Sequence, residues 1–235
     1  PAPKEEARAV GTASEAAQAL RVGLALEDGC PAGEPSVLKQ ALASRVEGAL
    51  AEAGFRMAVT GAFEVGVAID LKAREVNARG SRVAWAGDAD VRVVRASMPN
   101  PVQDEMALDA IARSWRDVAS GTARDGDTAQ KKLAEALAAE VAPFVAEAAN
   151  RAGARLRLSE VTVQKAWAPK DAAGYPTKFA EAVLAMPGVY RCEVTVFDRK
   201  AKVLRANVVY DTEAYPDGFV NRLQQNRALG FGRAK

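Results

Sequence analysis

Apolar and polar residues alternate, or recur at helical spacing, along most of this chain, and the pattern divides it into elements. Leu20 to Leu26 (LRVGLAL) alternates and predicts a strand. EDGCPAGEP follows as a loop. Ser36 is placed to cap a helix whose Leu38, Leu42, Val46 and Leu50 share a face. Gly54 ends that helix, and Phe55 can fold back on its last turn. Phe63, Val65, Val67, Ile69 and Leu71 then alternate with Glu64, Gly66, Ala68, Asp70 and Lys72, the signature of a half-buried strand. A turn around Arg79 to Ser81 leads to a second strand carrying Val83, Trp85, Ala89, Val91 and Val93, with Gly87 a candidate bulge. MPNPVQDEM reads as a loop. Ile111 to Ala119 reads as a strand carrying Trp115. Asp127 with Gln130 forms a capping-box pattern ahead of a long helix faced by Leu133, Leu137, Val141 and Val145. Pro143 is expected to kink or split that helix, and Gly153 to end it.

The pattern then starts afresh. Leu156 to Val163 predicts a strand with a break near Ser159, and WAPKDAAGYP a loop. Thr177 is expected to cap a short helix using Phe179, Val183 and Met186, which Pro187–Gly188 stops. Tyr190, Cys192, Val194 and Val196 alternate, DRKAK turns the chain, and Leu204, Ala206, Val208 and Tyr210 alternate back. Asp217 to Gln225 predicts a last helix. The fold class is α+β in two modules. Residues 20–154 read as β-α-β-β-β-α, an antiparallel sheet with two helices on one face. Residues 155–235 read as a small split β-α-β-β-α sandwich. Residues 1–19, rich in Ala, Pro and charge, read as an N-terminal tether.

Composition narrows the chemistry more than it suggests any. Hydrophobic residues make up 49% of the 235 and aromatics only 6%, so Leu, Val, Phe and Trp must supply most of the core energy. The net charge is +2, too small to argue for nucleic acid. Its distribution is uneven: residues 1–155 hold 19 Lys/Arg against 22 Asp/Glu, and 156–235 hold 13 against 8. An acidic partner for the second module is the sharp reading of that asymmetry, ordinary surface variation the plain one. There is no histidine, which removes the usual general base, the usual triad member and the commonest transition-metal ligand. Cys30 and Cys192 are far apart and in different modules; a disulfide and two separate thiols are both open. The start at Pro1 instead of Met predicts a trimmed leader or longer N-terminal segment, compatible with an exported or lipidated protein.

No phosphate-cradling loop and no nucleophile elbow is present, and no catalytic residue, metal or cofactor is expected. Asp88 and Asp90 form a DxD that could grip a hard cation, but strand alternation alone accounts for it. Asp125 and Asp127 read as turn and cap. Asp70, Glu64 and Glu193 are the carboxylates a glycan-acting enzyme would draw on, and each lies opposite an apolar face, where a solvent-side carboxylate belongs. Trp167, Tyr175 and Tyr215 stand outside the alternating faces. They are the candidate partner-binding residues, against the alternative that they close the ends of a small core. An RNA-binding platform lacks its aromatic pair, since Phe197 stands alone.

The first module resembles the N-terminal-domain type found in TolB and in the periplasmic flagellar assembly protein T. The resemblance lies in LRVGLAL, the helix ending LAEAGF, the strand pair AFEVGVAIDLKAREV and RVAWAGDADVRVV, and SWRDVASGTARDGDTAQ running into an Ala-rich helix. FAEAVLAMPGVYRCEVTVFD and VLRANVVYDTEAYPDGFVNRL are similar to the small α/β domains that flank it in such proteins. The resemblance implies a non-enzymatic periplasmic or envelope protein that binds a protein partner as an assembly factor. No nucleic-acid partner is expected, and membrane attachment only through a trimmed N-terminal anchor. A carboxylate-dependent enzyme acting on glycans or small molecules, and a nucleic-acid binder, are the alternatives.

Overall fold

A computed structural model describes residues 7–10, 20–28, 36–58, 63–76, 82–95, 110–164, 174–226 and 229. The fold is α+β, with two sheets in two compact units. One unit runs from Leu20 to Gly153 and holds β2 (Arg21–Asp28), α1 (Val37–Glu52), β3 (Arg56–Met57), β4 (Val65–Val76), β5 (Val83–Arg95), β6 (Ile111–Ala123) and α2 (Gly126–Gly153). The other holds β1 (Ala7–Val10), β7 (Leu156–Gln164), α3 (Tyr175–Leu184), β8 (Val189–Asp198), β9 (Val203–Asp211) and α4 (Phe219–Gln224).

The first unit's sheet has the order β3-β2-β4-β5-β6. It is mixed, not purely antiparallel: β2 runs parallel to β4, with Val22 opposite Val65, and parallel to the two-residue β3. The cause is α1, which carries the chain back along the sheet so that the next long strand enters in the same direction. Leu38, Leu42, Val46 and Leu50 of α1 are buried, as are Leu133, Leu137, Val141 and Val145 of α2. They cover Val22, Val65, Val67, Ile69, Leu71, Ala89, Val91 and Val93 of the sheet. Buried alanines (Ala134, Ala138, Ala142 and Ala149 among them) let α2 lie close to its neighbours.

Local signals hold where they are short-range. Lys39 N–H donates to Ser36 Oγ at 3.1 Å, capping α1. Gly54 has φ 92, and Phe55 N–H returns to the Leu50 carbonyl with its ring 6% exposed. The cap of α2 is Asp125 instead of Asp127: Thr128 N–H donates to Asp125 Oδ1 at 2.7 Å and Thr128 Oγ1 to Oδ2 at 2.9 Å. Pro143 does not split α2. It sits on the exposed side, where the carbonyl of Ala139 that loses its partner faces solvent. One irregularity of the β5–β6 ladder falls at Gly87/Ala89, beside the expected bulge, with the extra residue on β6. The register shifts at Ala84/Ala86 and Gly87/Ala89 each add one residue to β6, and Asp117 (φ 53) lies at the second.

The second unit's sheet, order β1-β7-β9-β8, is antiparallel throughout. The tether expectation fails for Ala7–Val10, which pair with Glu160–Val163 of β7 and add a fourth strand. Four small or long-chained residues with no apolar repeat carry no strand signal; the open backbone edge of β7 supplies the partner. Strand β7 is unbroken at Ser159, which is buried with its Oγ 3.3 Å from Tyr210 Oη. Helix α3 begins at Tyr175 with Pro176 in its first turn, so Thr177 lies inside the helix and is not its cap. The last helix starts at Phe219, after a 3-10 turn over Thr212–Ala214. Strand β8 departs from simple alternation. Extra residues at Tyr190 and Thr195 shift the register, so Val189, Cys192, Val194 and Phe197 turn to the core and Val196 is 42% exposed.

Candidate functional site

The aromatic residues singled out by the sequence divide three ways. Trp167 lies outside the described residues. Tyr175 is half-buried at the start of α3, its ring 6.3 Å from Phe179, and its hydroxyl donates to the Leu229 carbonyl at 3.2 Å. Tyr215 is 8% exposed. Its ring meets Tyr210 and Phe219 edge-on at 5.6 and 5.1 Å, and its hydroxyl donates to the Pro187 carbonyl. Burial is the main cause that pushes the Tyr215 phenol pKa up, with Arg222 opposing it. Tyr215 therefore closes the end of one small core, and Tyr175 packs beside it with part of its surface exposed. They escape the strand alternation because they cap the core's end, from outside the sheet.

The acidic residues are spread over the sheet face that α1 and α2 leave exposed. Asp88 Oδ1 accepts the Asp117 N–H at 2.8 Å, so this carboxylate stabilises the β6 bulge. Asp90 Oδ1 accepts from Ser114 Oγ at 2.5 Å and from Arg116 at 2.7 Å. The Arg116 and Ser114 hydrogen bonds hold the Asp90 carboxyl below its usual pKa. Asp70 stands directly opposite Asp90, with Lys72 at 4.0 Å, and Arg74 pairs with Asp117 at 2.5 Å. Such exposed pairs add little stability but order the side chains of this face. Among the described residues no group of three or more acidic or cysteine side chains could hold a metal ion. Glu64 is a correction to the solvent-side reading: it is 1% exposed, and its Oε2 accepts the Arg21 N–H at 2.6 Å, tying the start of β4 to β2.

Beside the charged network the same face turns apolar, and sequence periodicity alone misses how. Gly23 and Gly66 are register partners on β2 and β4, and the ring of Phe63 lies across both. Phe63 is 39% exposed, with Val76 and Val196 the other exposed large apolar side chains among the described residues. The signal in the sequence is a pair of glycines within strand patterns, which marks close approach by another group. The edges of the two sheets are guarded by comparison. β6 carries two bulges and Arg113, Arg116 and Asp117, and β8 also carries two register shifts.

Two concavities lie among the described residues, one in each unit. A groove of about 810 Å³ runs between α1 and α2, floored by Ala49, Ala138, Ala142 and Ala146 and rimmed by Arg45, Glu52 and Glu135. A pocket of about 600 Å³ in the other unit lies between α3 and α4. Cys192 is partly buried on β8, packed against the core of this unit, and burial pushes its thiol pKa up to about 12. No helix among the described residues is long and apolar enough to cross a membrane.

No protein-family model matches the chain, and no curated protein matches it. Among solved structures, a minor lipoprotein from Acinetobacter baumannii is 13% identical with a TM-score of 0.33, over 56% of this chain and 94% of that one. A dodecamer of a PelC variant from Paraburkholderia phytofirmans is 13% identical with a TM-score of 0.32, over 57% of this chain and 95% of that one. Likeness at these scores carries no functional weight.

Proposed function

We propose that this chain is a non-enzymatic protein-binding or assembly factor of the cell envelope. In this reading it meets a protein partner on the exposed face of the Leu20–Gly153 sheet. The observation that carries the reading is Phe63, laid over Gly23 and Gly66 and 39% exposed beside an ordered set of charged side chains. An aromatic anchor next to a polar, hydrogen-bonded rim is the arrangement that gives protein interfaces their energy and specificity. The bulged and charged sheet edges are poorer sites for strand addition than this face is for docking. Placement in the periplasm or envelope rests on the resemblance of the first module to the TolB-type domain.

The test is a pull-down from envelope extract with the wild-type chain and a Phe63→Ser variant as baits, at low and high salt. The reading expects a discrete envelope protein held by the wild type at both salts and lost by the variant at unchanged melting temperature. Retention of nothing, equal retention by both baits, or capture only of nucleic acid that high salt removes would each sink it.

A further inference from the structure

The groove between α1 and α2 has an alanine floor and a rim of three charges, Arg45, Glu52 and Glu135. All three are exposed, and none makes an ion pair among the described residues. Glu52 is the last residue of α1. The backbone carbonyls at that end favour a cation and disfavour a carboxylate, and the last turn carries no basic residue. Arg45 lies two turns earlier on the same side of the helix, about 10 Å along its axis. Between the two charges is Gly48, exposed in the middle of α1. Nothing stands within 4 Å of where its Cβ would be, so packing within the chain does not call for a glycine there. A glycine inside a helix is less stable than an alanine, and it lets another backbone come close. Ala41, Arg45, Gly48 and Glu52 follow one another at intervals of four, three and four residues, the spacing of a seam along which two helices pair.

We infer that this face binds a second copy of the chain, with α1 crossing its counterpart antiparallel at Gly48. A two-fold axis through the crossing sets Arg45 of each copy on Glu52 of the other. Each guanidinium then meets both a carboxylate and the carbonyl end of a helix. A parallel crossing would set Arg45 on Arg45 and Glu52 on Glu52. The seam carries both signs about a glycine at its centre, so it is complementary to itself, and a second copy supplies the cation that Glu52 lacks. The alanines of α2 beside the crossing let the incoming helix lie close. The surface is on the helices and not on the Phe63 face, and it does not depend on the reading given to that face.

The experiment is analytical ultracentrifugation of the full chain under reducing conditions, which keep disulfide-linked pairs out, over about 1 to 200 μM. A reversible dimer is expected within that range. Arg45→Glu and Glu52→Arg should each weaken it by about tenfold or more, since either puts two like-charge contacts in place of two opposite ones. Mixing these two single variants should restore association, because each supplies the charge the other needs. The double variant Arg45→Glu with Glu52→Arg should pair with itself as the wild type does. Gly48→Leu should abolish the dimer by holding the helices apart. All three positions are exposed, so melting curves at the lowest concentration, where the chain is monomeric, should show that the variants fold. A chain that stays monomeric throughout, a dimer unmoved by Gly48→Leu, or a mixture no stronger than its separate variants overturns the inference.

Discussion

The ring of Phe63 lies so close over Gly23 that a Cβ on that glycine would stand 2.5 Å from the ring's Cδ1. Only a residue without a side chain leaves room for it. Because the ring is partly exposed, it can swing away, and this separates stability from binding. Gly23→Ala should change stability by no more than about 1 kcal/mol, since alanine suits a strand better than glycine while ring packing is lost. It should nevertheless weaken partner capture as much as Phe63→Ser does. Thermal melts paired with the pull-down would check this. A variant that keeps full capture would remove Phe63 as the anchor.

Gly188 makes the opposite case, where no escape exists. It has φ 73, and an added Cβ would sit 2.6 Å from the Ala214 Cβ. Its carbonyl also accepts the Asp211 N–H at 2.8 Å, so the backbone cannot drift. Gly188→Ala should cost about 2 kcal/mol or more through strain and clash together. Urea unfolding would read it as a lower midpoint at an unchanged slope.

Cys192 supplies a pH prediction. Its folded thiol pKa, about 12, lies above the ordinary 9.0. A group whose folded pKa is raised binds more protons folded than unfolded between the two values. Its contribution to stability is therefore whole below pH 9 and is lost as pH rises towards 12. In a Cys30→Ala background, Cys192 should react with a thiol reagent at about pH 8 far more slowly than a free cysteine, and at full rate in denaturant. Fast reaction of the native chain would show that the thiol is not buried.

Much of the architecture follows from the chain's own periodicity. The α1 face of Leu38, Leu42, Val46 and Leu50, its Ser36 cap and Gly54 stop, and the alternation through Val65 to Leu71 are all present as read. Each depends on neighbours within a turn or along one strand, so one-dimensional pattern is enough to specify it. What tertiary structure alone decided is everything that depends on a partner strand or on packing. The parallel entry of β4 beside β2 and the capture of Ala7–Val10 by the edge of β7 are choices of pairing. The register shifts that bring Phe197 into the core and turn Val196 out are set by β9. The burial of Tyr215 and Glu64, and the glycine floor under Phe63, arise where segments far apart in sequence meet. Local pattern says which residues prefer to leave water, but only the assembled surface says which of them have somewhere to go.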